Sequence, residues 1–236
     1  MPRIPDLEPP GEDWGEQLFQ AGLEFADNPE PRCPCILLLD TSGSMRGERI
    51  AALNAGLRTF REEVCKDALA RRRVEVAVIA FGGDVRVVQD FVTVEDFRPP
   101  LLQPAGLTPM ARAIQQALDL LDVRKGQYKT NGVSYYRPWV FLITDGAPEG
   151  EPEAVIREAG RRVRAEETAK RVAFFAVGVE GADMAQLTEL SPRPPLKLQG
   201  LRFVDLFVWL SRSAQQVAHS RVGDQVALPP VDWGTI

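Results

Sequence analysis

Two runs of consecutive apolar residues, each followed by an aspartate, constrain the fold of this 236-residue chain most strongly. Residues 36–39 form the first run and precede Asp40, and residues 140–143 form the second run and precede Thr144 and Asp145. An uninterrupted apolar run, unlike an alternating one, is typical of a strand that is covered on both faces of a parallel sheet. The chain is therefore expected to build an α/β domain around two such strands.

Strand and helix patterns alternate along the rest of the chain. The predicted strands cover residues 74–81, 85–92, 172–178 and 196–198, and the predicted helices cover about 46–70, 109–123, 151–168, 184–190 and 203–219. This alternation predicts a Rossmann-like, doubly wound α/β fold with a mostly parallel central sheet and helices on both faces. Gly82, Gly83 and Asp84 indicate a tight hairpin, which makes the next strand antiparallel and places it at one edge of the sheet.

The formal net charge of −5 is unevenly distributed along the chain. Residues 1–32 contain eight acidic and two basic residues, and they are expected to form an acidic, proline-containing N-terminal extension. A short amphipathic helix is predicted there, either packed on the domain or acting as a partner-binding arm. Its apolar face consists of Trp14, Leu18, Ala21 and Phe25. Residues 33–222 are expected to be the folded domain, and residues 223–236 a proline-containing C-terminal tail.

Composition argues against several classes of protein. The acidic balance argues against general nucleic-acid binding and against adhesion to anionic membranes, because both require a basic face. No stretch approaches the ~18 apolar residues of a membrane span, and the N-terminus lacks the apolar core of a signal peptide, so a cytoplasmic location is expected. The three cysteines, Cys33, Cys35 and Cys65, are too few for a disulfide scaffold, which fits a reducing compartment.

Oxygen-bearing side chains cluster where ligands bind in such folds, just beyond the carboxyl ends of the strands. They are Asp40, Ser42, Ser44, Thr108 and Asp145. Each segment alone could be a helix cap or a turn. In the combined set, however, every candidate ligand atom is an oxygen, which favours Mg²⁺, with Mn²⁺ or Ca²⁺ as substitutes. Two carboxylates and three hydroxyls fill only part of a six-coordinate shell. The open position is expected to accept an Asp or Glu carboxylate from a partner protein.

The same residues also permit an enzymatic alternative. An aspartate that ends an apolar strand near Mg²⁺ also occurs in phosphatases of the haloacid dehalogenase type, which need a second aspartate two residues later. Ser42 occupies that position. A serine hydrolase would need a base beside its nucleophile, and His219, the only histidine, lies near the end of the last predicted helix. The chain is therefore expected not to be an enzyme, with a Mg²⁺-dependent phosphatase as the alternative.

Basic and aromatic residues alternate between residues 124 and 138, which are predicted to form a polar loop. All three tyrosines of the chain lie in it. Because this loop joins the end of a helix to the start of a strand, it should lie at the opposite end of the sheet from Asp145. It is expected to pack against the domain; a second protein-binding surface, or one for single-stranded nucleic acid, is the alternative.

The site residues also carry a family resemblance. Residues 40–45 (DTSGSM), 106–109 (GLTP) and 143–148 (ITDGAP) resemble the metal-ion-dependent adhesion site of von Willebrand factor A (VWA) domains. More narrowly, residues 135–139 (YYRPW) and 178–184 (GVEGADM) resemble bacterial tellurium-resistance proteins of the TerY type, as does the FVWLS segment that begins at Phe207. The resemblance covers about residues 33–222.

This resemblance implies specific roles and partners. It implies that Asp40, Ser42, Ser44 and Thr108 lie near the metal and that Asp145 often acts through water. Proteins of the TerY type are associated with stress-response and tellurite-resistance gene clusters that include kinases and phosphatases. The expected function is therefore a non-catalytic, Mg²⁺-dependent protein-interaction module in such a bacterial system, with a kinase or phosphatase as its partner.

Overall fold

Strands and helices alternate along residues 24–235, the part of the chain that this computed structural model describes. The strands are β1 (Cys33–Asp40), β2 (Val74–Gly82), β3 (Asp84–Thr93), β4 (Trp139–Thr144), β5 (Ala173–Gly178), β6 (Leu196–Leu198) and β7 (Gly234–Thr235). The helices are α1 (Glu48–Cys65), α2 (Ala70–Arg73), α3 (Met110–Thr130), α4 (Glu153–Thr168), α5 (Met184–Leu190) and α6 (Phe203–Ala218), with a 3-10 turn at Gly43–Met45.

The strands form one mixed sheet in the order β3-β2-β1-β4-β5-β6-β7. Pairing is parallel from β2 through β6, and the hairpin that joins β2 to β3 makes β3 an antiparallel edge strand. The doubly wound prediction is confirmed. The prediction of one antiparallel edge strand is incomplete, because β7 pairs antiparallel with β6 at the other edge. Trp233, immediately before β7, is fully buried and holds the C-terminal residues against the domain.

Helices cover both faces of the sheet. Side chains of β1 alternate, so that Leu37 and Leu39 pack in the core beneath α1 and α6, whereas Ile36 and Leu38 pack in the core beneath α3, α4 and α5. All eight residues of β1 are buried, which explains why this strand has an apolar run without a polar face. Burial of each such side chain contributes about 1.5 to 3 kcal/mol to folding.

The helix predicted over residues 46–70 is interrupted. α1 ends at Cys65, and α2 forms a separate turn of helix. The Asp67 carboxylate accepts hydrogen bonds from the backbone N–H groups of Leu69 and Ala70, at 2.9 and 2.8 Å. Because a side-chain acceptor of this kind satisfies amides that begin a new helix, the chain breaks and restarts at this point.

The predicted loop over residues 124–138 is wrong in its first half. α3 continues to Thr130, seven residues beyond its predicted end at Val123. The polar residues Arg124, Lys125 and Tyr128 are buried in this extra part of the helix, facing the domain. A surface that binds single-stranded nucleic acid is not available there, because such binding requires these residues to be exposed.

Glu75 of β2 explains why those polar residues point inwards. Its fully buried carboxylate accepts hydrogen bonds from Arg32 Nε at 2.7 Å, from Arg124 Nη2 at 2.8 Å and from the Tyr128 hydroxyl. Burial, together with the Glu75 charge, raises the pKa of Tyr128 well above its ordinary value, so this hydroxyl keeps its proton and donates it. A buried charge network thus replaces apolar packing at this end of the sheet.

The described end of the N-terminal extension packs on this network. Residues 24–27 are helical, and the rest of the helix predicted for the extension lies outside the described residues. Glu24 pairs with Arg124 at 2.5 Å, and the buried Phe25 ring lies 5.6 Å from the Tyr128 ring. These contacts are at the amino end of β1, opposite Asp40.

The helices within residues 24–235 were compared with the dimensions of a lipid bilayer. None of them combines the length and the apolar character that a membrane span requires.

Candidate metal centre

Asp40 and Asp145 lie at the topological switch point of the sheet, where the order in which strands are added reverses. From β1 the chain continues to β2 on one side, and β4 pairs with β1 on the other side. Asp40 is the last residue of β1, and Asp145 follows β4 directly. The crevice at such a switch point, beyond the carboxyl ends of the strands, is the usual ligand site of a doubly wound fold.

Asp40 is completely buried, and both of its carboxylate oxygens accept hydrogen bonds. Oδ1 accepts the backbone N–H of Ser42 at 2.7 Å, and Oδ2 accepts the Thr144 hydroxyl at 2.5 Å. Burial raises the pKa of the Asp40 carboxyl, and the nearby Asp145 charge adds to this effect, whereas the two hydrogen bonds oppose it. The protein therefore holds this carboxylate in a fixed orientation at an electrostatic cost.

A line of hydrogen bonds joins the first loop to the loop after β4. The Ser42 and Ser44 hydroxyl oxygens are 2.9 Å apart, and the Ser44 hydroxyl donates to Asp145 Oδ1 at 2.7 Å. The other oxygen of Asp145 accepts from Arg49 Nη1 at 2.8 Å. Four of the five predicted ligands, Asp40 included, are thus connected through neighbouring polar groups at one edge of the sheet.

Backbone contacts bring Thr108, the fifth predicted ligand, to the same edge. The N–H of Gly43 donates to the carbonyl of Gly106 at 3.0 Å, and the N–H of Glu149 donates to the Thr108 carbonyl at 2.9 Å. The Thr108 hydroxyl lies beside Gly146, where an added Cβ would be 3.7 Å from Oγ1. All three loops predicted from the sequence therefore meet.

Glycine is required where the β2-β3 hairpin touches the Thr108 loop. Gly106 has a φ of 66°, and a Cβ on it would lie 2.4 Å from Cα of Gly83. The Gly83 N–H donates to the Leu107 carbonyl at 2.7 Å. Because no side chain fits between these backbones, the hairpin positions the loop that carries Thr108. The sequence predicted the hairpin but not this contact.

The donor set fits a hard divalent cation. Within residues 24–235 no basic side chain pairs with Asp40, and Asp145 pairs with Arg49 alone. Two buried carboxylates that repel each other, beside three hydroxyl oxygens, are stabilised by a cation that prefers oxygen ligands. In the same range no group of three or more His, Cys, Asp or Glu side chains is placed to hold a metal. A metal site here would therefore depend on hydroxyl ligands as well as carboxylates.

Sequence reasoning missed two residues of the site, Thr144 and Arg49. Thr144 donates to Asp40, and its position immediately before Asp145 was the available signal. Arg49 lies in the first turn of α1, where the helix dipole disfavours a cation. A basic residue at that position is a sequence signal for a nearby carboxylate, which the structure identifies as Asp145.

The Ser42 hydroxyl contacts the Ser44 hydroxyl, which donates to Asp145. His219, which a serine hydrolase would need as its base, lies at the end of α6 and pairs with Asp67 at 2.8 Å. In the described part of the chain, the two serines therefore have neither a histidine nor a lysine as a hydrogen-bond partner. This geometry lacks the nucleophile-base pair that acyl transfer requires.

Known proteins with the same fold were found by comparing structures. Proximal thread matrix protein 1 from the mussel byssus has a TM-score of 0.55 at 15% identity, covering 79% of this chain and 48% of that chain. The ArnB paralog VWA2 from Sulfolobus acidocaldarius has a TM-score of 0.52 at 14% identity, covering 78% and 45%. The open conformation of the pilus adhesin SpaC from Lactobacillus rhamnosus GG has a TM-score of 0.58 at 16% identity, covering 79% and 30%.

Sequence comparison gives the same family. The human collagen alpha-6(VI) chain is 24% identical over 181 residues, which are 71% of this chain but only 7% of the collagen chain. This chain therefore spans a small part of that curated relative and less than half of each structural relative named above. The sequence model of the von Willebrand factor type A domain, a protein-interaction and adhesion module, matches residues 35–203. The chain belongs to the von Willebrand factor type A family.

Proposed function

We propose that this chain is a non-catalytic, Mg²⁺-dependent protein-interaction module. Its ligands would be Asp40, Ser42, Ser44, Thr108 and Asp145, with Mn²⁺ or Ca²⁺ as substitute ions. The observation that carries the proposal is the meeting of these oxygen donors around two buried carboxylates at the switch point of the sheet. With the ion bound, an open coordination position would accept an Asp or Glu carboxylate from a partner.

The surface around the donors supports a partner that arrives from solvent. Ser44 is exposed, and the Leu107 side chain is 50% exposed beside the loop that carries Thr108. An apolar side chain next to a charged site suits a partner that presents a carboxylate flanked by an apolar residue. The fixed orientation of Asp40, set by Ser42 and Thr144, would limit the rearrangement on binding.

A narrower proposal rests on the resemblance to TerY-type proteins. In it, the partner is a kinase or phosphatase encoded in the same gene cluster, in a bacterial stress response such as tellurite resistance. A cytoplasmic location is part of this proposal. It is supported by Cys33 and Cys35, which are free, buried thiols whose pKa burial raises, as expected for unreactive structural cysteines in a reducing compartment.

The proposal is tested by capturing partners from a native lysate with Mg²⁺ or with EDTA. The bait proteins are the wild type, Asp40→Asn and, as a matched carboxylate-to-amide control, Asp84→Asn, whose side chain is exposed in β3. We expect a defined partner that the wild type and Asp84→Asn capture only with Mg²⁺ and that Asp40→Asn does not capture. Neutralising candidate carboxylates on that partner should then abolish its capture.

Two results would reject the proposal. One is capture of every specific partner in EDTA and by Asp40→Asn. The other is hydrolysis of p-nitrophenyl phosphate by the wild type that Asp40→Asn abolishes, because this would favour the Mg²⁺-dependent phosphatase.

Arg49 is expected to compete with the metal for Asp145. Arg49→Gln should strengthen Mg²⁺ binding about fivefold, because removing a partly solvated positive charge a few Å from the ion relieves about 1 kcal/mol of repulsion. Titration calorimetry measures the affinity directly. Arg46→Gln, in the loop just before α1 and exposed, is the matched control and should change the affinity less. Unchanged or weaker binding by Arg49→Gln would mean that Arg49 supports the site.

A further inference from the structure

A cavity lies at the end of the sheet opposite the metal centre. Its volume is about 460 Å³, within the range of small-molecule sites. It is bounded by the first residues of β4 and β5, by Val217 near the end of α6, and by residues 223–228 of the C-terminal segment. None of the residues that line it belongs to the metal centre.

The floor of this cavity is aromatic. Trp139 and Phe175 are only partly buried, although they lie on interior strands whose neighbouring residues, such as Phe141, are completely buried. Their rings meet edge to face at 6.1 Å, and Phe175 stacks on Phe141 at 4.5 Å. The first half of β5 pairs with β4 alone, because β6 pairs with β5 only from Val177 onwards. Because Phe141 stacks on the Phe175 ring and the Arg193 guanidinium also lies over that ring, at 5.1 Å from its centroid, a flat apolar ligand would contact mainly the partly exposed Trp139 ring.

Three basic side chains line the cavity, with Asp224 as the acidic one. Arg137 and Arg193 both pair with the same carboxylate, that of Glu167, at 2.6 and 2.7 Å. Lys170 has no ion-pair partner among residues 24–235. The lining is therefore net positive, and Lys170 is the cation that remains available to an anionic ligand.

The backbone of Lys170 is in an unfavourable conformation. Its φ of 55° makes it the sole non-glycine residue with a positive φ in the described part of the chain. It follows the C-terminus of α4, where its N–H donates to the Glu167 carbonyl at 2.9 Å and where glycine is the favoured residue. A lysine in this conformation is strained, because its Cβ lies close to the backbone carbonyl. Lys170 therefore places a side chain beside the cavity at a position where the backbone favours glycine.

We propose that this cavity binds a small aromatic carboxylate. The aromatic group would contact mainly the Trp139 ring, and the carboxylate would pair with Lys170, with Arg137 as a second donor. A single anionic group matches Lys170, the lining cation that has no ion-pair partner among residues 24–235, and the cavity is too small for a folded partner. This site is separate from the metal centre and does not depend on its function.

The proposal is tested by titration calorimetry of the full chain with three probes that share one ring system. These are indole-3-acetate, the neutral indole-3-acetamide and the cationic tryptamine. We expect saturable one-to-one binding of indole-3-acetate and at least tenfold weaker binding of the amide, because the amide lacks the charge-assisted hydrogen bond. Tryptamine should bind more weakly still, because its ammonium group is repelled by Lys170.

Lys170 variants separate binding from stability. Lys170→Gly should weaken binding of indole-3-acetate about tenfold while its melting temperature stays the same or rises, because glycine relieves the strained backbone. Lys170→Gln should weaken binding similarly, and Lys170→Arg should retain it. Val217→Phe, which fills the cavity from α6, should abolish binding of indole-3-acetate and leave the response to Mg²⁺ intact.

Three results would overturn the proposal: no binding of indole-3-acetate by the wild type, equal affinity for the acid and the amide, or wild-type affinity in both Lys170→Gln and Lys170→Gly. Because each is measured without metal or partner, failure here is distinguishable from failure of the proposed function.

Discussion

Replacing Glu75 with glutamine is expected to destabilise the fold by about 3 to 5 kcal/mol, because breaking a buried ion pair leaves charge uncompensated in the interior. The Glu75 carboxylate is completely buried and accepts from Arg32, Arg124 and Tyr128. A neutral amide cannot offset the two guanidinium charges, and its NH₂ group faces donors. Arg124, whose pKa the Glu75 carboxylate raises against the opposing effect of burial, would keep its charge.

Urea unfolding of the two proteins measures this loss, and the melting temperature should fall by about 6 °C or more. Glu153→Gln is a matched control that also removes one ion pair, between Glu153 and Arg157 in successive turns of α4, where both side chains are well exposed. It should cost less than about 0.5 kcal/mol. Similar losses in the two variants would contradict the role assigned to the buried network.

Asp40→Asn is expected to abolish stabilisation by Mg²⁺ without unfolding the protein. At Mg²⁺ concentrations about 100 times the dissociation constant, the wild type should gain about 2.7 kcal/mol. The variant should gain almost nothing, because it lacks the buried carboxylate of the ligand set. Thermal unfolding with and without Mg²⁺ measures both values.

The change in stability that Asp40→Asn causes in the metal-free protein is the more decisive part of this prediction. Because the folded protein raises the pKa of Asp40, ionisation of this carboxyl at neutral pH lowers the stability of the fold, and the loss increases as the pH rises through that pKa. Neutral asparagine should therefore leave the metal-free protein at least about as stable as the wild type, because the Thr144 hydroxyl, unlike the guanidinium groups around Glu75, can rotate to accept from the new amide. A marked loss of stability without metal, or a full Mg²⁺ response in the variant, would contradict the assignment. Asp84→Asn should behave like the wild type.

Much of the architecture could be predicted because local patterns carry it. β1 and β4 were recognisable since both of their faces are covered, so their apolar residues are consecutive. The hairpin before β3 depends on Gly82 and Gly83, which is a local signal. The end of α3 could not be predicted in the same way, because Arg124 and Tyr128 look like surface residues until Glu75 is placed beside them.

The candidate site likewise has features that could be predicted from local patterns and features that could not. The five oxygen donors could be assigned to one edge of the sheet because parallel strands place their carboxyl ends together. The pairing of Arg49 with Asp145 and the contact of Gly106 with Gly83 could not be predicted. Each joins two segments that are distant in sequence, and the pattern of one segment does not indicate the other.

Sequence patterns were enough to predict the order of β1 to β6 and of the longer helices, the family, and which oxygen-bearing residues meet, because periodicity and loop position are local properties of the chain. The folded structure was needed to show which charges are buried together around Glu75, which cation faces Asp145, and where Trp139 and Phe175 stay partly exposed beside Lys170. These features depend on contacts between residues distant in sequence, and the energy of a charge or a ring depends on the groups that surround it.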